Sequence, residues 1–233
     1  MRLFCATLLA GLAGASLIPS PQHTFDVSDD LRIPTVHESA VMARRILHLS
    51  GFGSLSTIFP SSSLTQETRP ATVGGTPIGM VEYIADCEPD SGNPTLLALT
   101  IATSFKNAAA GSNVSLSLSW NPPKSVRSPA SLPRFALQGY LEDITPEERD
   151  AADVPACFAK QHRDARAWFP GNRIHTSRWV RLVVQEVYWV GGFGDRAYIG
   201  WIPADEWRSV TEDEIAGCVL PGEERRTGWG WFA

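Results

Sequence analysis

The chemistry this 233-residue sequence could perform rests on few side chains. Its four cysteines, Cys5, Cys87, Cys157 and Cys218, fall at spacings that match no zinc pattern and include no CxxC pair. Neither a structural metal nor thiol exchange is therefore supported. The histidines, His23, His37, His48, His162 and His175, are scattered, and His37 and His48 share one amphipathic stretch where cap or surface roles are the ordinary ones. No GxSxG is present, and no Ser, His and Asp occur in an order with a supporting context, so hydrolase chemistry has no carrier. Glu147, Glu148, Asp150 and Asp153 read as the acidic first turn of a helix and not as a catalytic pair. Asn113-Val114-Ser115 is an acceptable N-glycosylation sequon, whereas Asn93-Pro94-Thr95 is blocked by its central proline.

A compartment is implied by the N-terminus. Arg2, the apolar run Leu3 to Leu12 and Ala13-Gly14-Ala15 have the charge, length and small-x-small ending of a signal peptide, so residues 1–15 are expected to be removed and the mature chain to start near Ser16. Cleavage would leave Cys87, Cys157 and Cys218 in an oxidising compartment, where one pair bridges and one thiol is left over. Three pairings are open, of which Cys87–Cys157 is preferred, with Cys218 free. No later stretch approaches the ~18 apolar residues of a membrane span. A formal charge of −5 and a pI of about 5.5 offer no general attraction to phosphate backbones, so nucleic acid is not an expected partner.

The elements that would position these residues are mostly strands. Residues 16–36 are polar, proline-bearing and aperiodic, a flexible leader. Apolar residues at three- and four-residue steps from His37 to Leu49 predict a helix, stopped by Gly51 and Gly53. Strands follow at Ser54 to Phe59, Ile78 to Ala85 and Thr95 to Ala102, the last two as a hairpin around the turn-rich Glu88 to Pro94. Phe105 to Gly111 is a short helix. Val114 to Trp120 (VSLSLSW) alternates one apolar and one serine face, as a half-buried strand should. Phe135 to Ile144 is another strand, Thr145-Pro146-Glu147-Glu148 opens a helix, and a second helical patch covers Cys157 to Trp168. Trp179 to Val190, a turn at Gly191-Gly192-Phe193-Gly194 and Ala197 to Trp201 complete a mainly β chain of six or seven strands with short helices, a small antiparallel barrel.

The order of these pieces resembles one family. Gly51-Phe52-Gly53-Ser54-Leu55-Ser56-Thr57-Ile58 after a leading helix, and Gly79-Met80-Val81-Glu82-Tyr83 before an acidic turn, are similar to the opening of CREG-like and pyridoxamine-phosphate-oxidase-like FMN-binding split barrels. Ala102-Thr103-Ser104-Phe105-Lys106-Asn107 is similar to the segment that meets the cofactor phosphate in flavin-binding members. Val190-Gly191-Gly192-Phe193-Gly194-Asp195-Arg196-Ala197 is similar to a late strand-turn-strand of haem-utilisation proteins. The resemblance covers 37–210 as one split-barrel domain and leaves 211–233 as a C-terminal tail.

The resemblance implies an antiparallel split β-barrel, a homodimer and, with the secretory signal and sequon, the CREG-like branch of secreted or endolysosomal (vacuolar) glycoproteins, which bind without flavin turnover. Its ligand, protein or small molecule, is not named by the sequence. The alternative is an FMN-dependent oxidase or reductase in which Thr103, Ser104 and Lys106 hold the phosphate. Lys106 is the only basic residue between Thr95 and Asn121, so such a site would need Arg163, Arg166, Arg173, Arg178 or Arg181 from elsewhere. The haem relatives place a histidine ligand in the C-terminal tail, and this chain has none there. Seven of the eight tryptophans lie beyond residue 160, and the apolar ending Gly228-Trp229-Gly230-Trp231-Phe232 is expected to dock on the barrel or on a partner subunit.

Overall fold

The computed structural model describes residues 32–61, 69–123 and 128–224, so the expected signal peptide, nearly all of the expected leader and the Trp-rich ending lie outside the described residues. The chain enters through α1 (Val36–Leu49), whose start is fixed by a capping box: the Glu38 amide donates to the Thr35 hydroxyl and the Thr35 amide to the Glu38 carboxylate. One face of α1 (Ala40, Ala43, Ile46 and Leu47) is buried.

Strands β1 (Phe52–Ile58), β2 (Pro77–Ala85), β3 (Thr95–Leu99), β4 (Val114–Ser119), β5 (Arg134–Asp143), β6 (Ser177–Val190) and β7 (Ile199–Ile202) form one antiparallel sheet in the order β3-β2-β1-β4-β5-β6-β7. Pairing of β3 with β6 closes six strands into a barrel, and β7 is added to the far half of β6. Closure removes the free edges that an open sheet would leave to aggregate. Between the strands lie α2 (Thr103–Ala109), α3 (Pro146–Ala151) and α4 (Val154–Gln161); α5 (Ala204–Ser209) and α6 (Glu212–Gly217) follow the last strand. The hairpin, the alternating β4 and the long β6 lie where sequence placed them. The patch expected over Cys157 to Trp168 is instead α4 and a separate 3-10 turn over Asp164–Trp168, and α5 and α6 were not foreseen.

Alternation sorts the strands into two faces. Leu55, Leu116, Leu137, Val187 and Ile202 stand side by side across neighbouring strands and are fully buried inside. A second core lies outside the barrel, where Phe158 of α4 packs on Trp179 and Phe169 at ring distances of 5.0 and 6.2 Å. A disulfide joins Cys87, just after β2, to Cys157 of α4 and ties this second core down. Of the three pairings open in the sequence this is the one the structure contains, and Cys218 is a free thiol.

Strand β6 changes phase in its middle. Its register with β5 slips between Gln138 and Gly139, where Gln185 of β6 has no partner, a bulge that lets this fourteen-residue strand bend around the barrel. A side chain at 139 would run into the Val183 carbonyl oxygen of β6, so only glycine lets the strands approach there. Gly139→Ala should destabilise the fold by about 2 kcal/mol through forced backbone movement. Thermal unfolding should show Tm lowered by about 4–8 °C; an unchanged Tm would mean that the bulge absorbs a methyl group.

Candidate functional site

The segment expected to meet a cofactor phosphate is α2, laid against β1 and β2. It is held by Phe105 in the core and by Asn107, whose Nδ2 donates to Thr57 Oγ1 at 3.0 Å. Thr103 and Lys106 are half-buried. Ser104 is fully buried, and its hydroxyl makes no hydrogen bond of good geometry. What it faces is Glu82 of β2. Burial pushes the Glu82 carboxyl above the usual carboxylate range, and the Ser104 hydroxyl offsets only part of that rise.

The arginines considered as further phosphate ligands are distributed differently. Arg178 is bound by Asp143 at 2.8 Å, at the exposed junction of β5 and β6. Arg181 is encircled by three carboxylates: Glu88 at 3.0 Å, Glu142 at 3.2 Å and Glu148 at 2.8 Å. The Arg181 hydrogen bond holds Glu148 down at about 2, whereas burial raises Glu88. Arg163, Arg166 and Arg173 are exposed.

The histidines do not converge either. His37 bridges Glu206 and Glu214, His48 meets Asp86 at 3.2 Å, and buried His162 faces the Ile84 carbonyl at 2.8 Å. Among the described residues no three side chains gather as metal ligands, and no helix is long and apolar enough to cross a membrane. Asn113 is exposed in the loop between α2 and β4, beside Ser112, whose hydroxyl accepts from the Ile58 amide.

The outer face of the barrel carries a feature that the motifs did not announce. One row of paired residues crosses five contacts between strands: Val81, Ser54, Ser117, Ala136, Tyr188 and Trp201. The small central residues floor a trough of about 400 Å³, with Ser119, Arg134 and Val190 at one end. Tyr188 lines it, and the row continues beyond it on either side into exposed apolar residues: Val81 is 69% exposed, Trp201 50% and Tyr188 39%, the Tyr188 and Trp201 rings 5.2 Å apart. The serine face of VSLSLSW was legible as a solvent face. Its meaning as a floor depends on Ser54 and Ala136 arriving from other strands.

With this geometry in view, residues 34–209 match the family model described as CREG, beta-barrel. The chain belongs to the CREG β-barrel family. Its fold is similar to that of a heme binding protein from Mycobacterium smegmatis (TM-score 0.58, 21% identity, 76% of this chain and 61% of that one). It is similar also to the protein Atu2129, of unknown function, from Agrobacterium tumefaciens (TM-score 0.52, 20% identity, 78% and 64%). ChuZ from Campylobacter jejuni is a further neighbour (TM-score 0.51, 14% identity, 72% and 61%). The chain thus spans under two thirds of the length of each of these three proteins, and at such identities the likeness is one of fold. No curated protein matches.

Glu82 is the site residue that motif reading passed over, although it lies inside a quoted segment. Its parity was the available signal: it is two residues before buried Ile84 and so shares the inward face. Because its pKa is raised in the fold, its protonated form is the stable one: stability is fully present below the ordinary carboxylate range and falls as pH rises through the folded value. Glu82→Gln should therefore raise Tm at neutral pH and leave it unchanged near pH ~4. Thermal melts of both proteins across that range would check this; a variant less stable at neutral pH would refute burial as the dominant effect.

Proposed function

We propose that this CREG-family chain is a secreted or lumenal glycoprotein that works by binding, as a homodimer, and does not turn over a flavin. The observation that carries this reading is the placement of buried Ser104 against Glu82. A flavin phosphate brings about two negative charges and needs several charge-assisted donors. At Thr103, Ser104 and Lys106 it would find one hydroxyl turned inward and a carboxylate behind it. Of the arginines outside this segment, Arg178 and Arg181 are already bound to acids, and Arg163, Arg166 and Arg173 are exposed. The α2 segment by itself therefore does not offer the several cationic donors that group needs.

Binding finds better support on the outer sheet. Small residues flanked by exposed Val81, Tyr188 and Trp201 form a surface onto which a second copy can pack, large side chains over the serine floor. A homodimer built on this face would bury on the order of 1,500 Å². The similar fold of a heme binding protein supports a small molecule as a further occupant of the assembled dimer.

Titration with FMN separates this reading from the oxidoreductase alternative: binding should be no tighter than ~1 mM, about −4 kcal/mol. Micromolar binding abolished by Lys106→Ala would overturn it. Light scattering should give twice the chain mass for the wild type and the monomer mass for Ala136→Arg, which places a charge on the trough floor; a monomeric wild type would exclude the dimer. For compartment and modification, protein expressed in a eukaryotic host should begin near Ser16 and carry one glycan at Asn113. Mass spectrometry of medium and lysate decides this, an intact Met1 on cytosolic protein being the contrary result.

A further inference from the structure

Where α1 meets the two short helices that follow the barrel, one imidazole is gripped from both sides. His37 Nδ1 lies 3.0 Å from Glu206 Oε2 of α5, and His37 Nε2 lies 2.9 Å from Glu214 Oε1 of α6. Both partners are acceptors only, so both ring nitrogens must donate, which requires the imidazolium. We propose that His37 is a proton-operated clamp: its imidazolium seats the C-terminal arm, α5 and α6, against α1, and loss of the proton loosens that arm.

The neutral ring cannot do the same work. It has a single N–H, so one carboxylate loses its donor and instead faces a nitrogen lone pair. The surroundings sharpen the contrast, because the facing helices are acidic: Asp205 and Glu206 on α5, and Glu212, Asp213 and Glu214 on α6, with Arg208 the cation there. On α1 itself Glu38 is turned to the Thr35 amide, while Arg45 is bound by Glu223 and His48 meets Asp86, so neither of these side chains substitutes for His37.

The direction of the pH effect follows from the same contacts. Hydrogen bonds to Glu214 and then Glu206 raise His37 above its ordinary 6.5, so the clamp's contribution is complete below that pH and is lost as pH rises through the higher folded value. The His37 bond in turn holds Glu214 down to about 2, so the acidic jaw stays charged in acid. The arm is also held by buried Trp207, Val210, Ile215 and Leu220, so the clamp loosens α6 without unfolding the barrel. All three side chains are about two fifths exposed, which keeps the effect small.

Cys218, the half-buried free thiol at the end of α6, reports the opening. Wild type and His37→Gln would be labelled with a methanethiosulfonate reagent from about pH 5.5 to about pH 8.5, and modification of Cys218 would be followed by peptide mass. Taking the ratio of variant to wild-type rates at each pH cancels the thiol's own titration. The ratio should be about threefold at the acid end and fall to one at the alkaline end. A ratio of one throughout would overturn the clamp, and a raised but pH-independent ratio would reduce His37 to a packing residue and overturn its proton dependence. An NMR titration of the His37 ring supplies the second readout: a midpoint above 6.5 that drops in Glu206→Gln is expected, and one at or below 6.5 in the wild type contradicts the proposal.

Discussion

Arg44 is completely buried, and the way its charge is accommodated fixes how three parts of the chain meet. Its guanidinium donates to the Trp207 carbonyl of α5 at 3.0 Å and to the Pro89 carbonyl in the turn between β2 and β3, and it lies over the Trp207 ring at 5.3 Å. Trp207 Nε1 donates in turn to the Gly92 carbonyl at 3.2 Å. Burial lowers the Arg44 pKa, and the charges of Asp86 and Asp90 act against that change. A guanidinium stays protonated in proteins, so the charge must be held by fixed acceptors and cannot be removed by titration. Removing one side of such an arrangement leaves buried polar groups unpaired, at about 3–5 kcal/mol. Glycine at 92 belongs to the same constraint: its φ is +67°, and a Cβ there would lie 2.7 Å from the Arg44 guanidinium.

That junction orients the C-terminal arm, α5 and α6, against α1. The apolar part of the contact, Trp207, Val210 and Ile215 on the α1 face, provides its free energy without regard to pH. The polar part divides into a permanent cation, Arg44, deep in the contact, and a titratable one, His37, at its rim. The two have different consequences. A buried arginine specifies one geometry under all conditions, whereas a half-exposed histidine makes a small part of the same contact depend on pH.

Much of the barrel was legible because its signals are local. Serines and leucines alternate in β4, α1 has its apolar spacing, and the turn-rich stretch after Cys87 marks a hairpin; each requires no knowledge of the rest of the chain. The functional geometry was less legible because it depends on pairing between strands. The trough exists only because Ser54, Ser117 and Ala136 come into one row from three strands. The bulge at Gln185, opposite Gly139, reverses the inside–outside alternation in β6, so counting along that strand fails beyond it. Arg44 occupies an apolar helix face and reads as solvated until its carbonyl partners arrive from residues far along the chain. The short α6 was overlooked despite a capping box of Thr211 and Glu214, because at six residues it has almost no periodicity to detect.

In the phosphate-like segment, residue types and geometry point in different directions. Ser104 and Lys106 retain the residue types that suit an anion, but a motif of this length does not state which way a hydroxyl points. That is decided by Phe105 and Asn107, which anchor α2 through the core and through Thr57, and by the strand behind it. With Glu82 on that strand's inward face, the Ser104 hydroxyl lies next to a carboxyl that burial already keeps from ionising readily. A phosphate brought to the same place would be repelled by the ionised carboxylate and would drive it further toward the protonated form. On the reading proposed above, this inner end of the barrel serves folding, and the outer sheet, with its serine floor and exposed aromatic residues, is the surface for recognition.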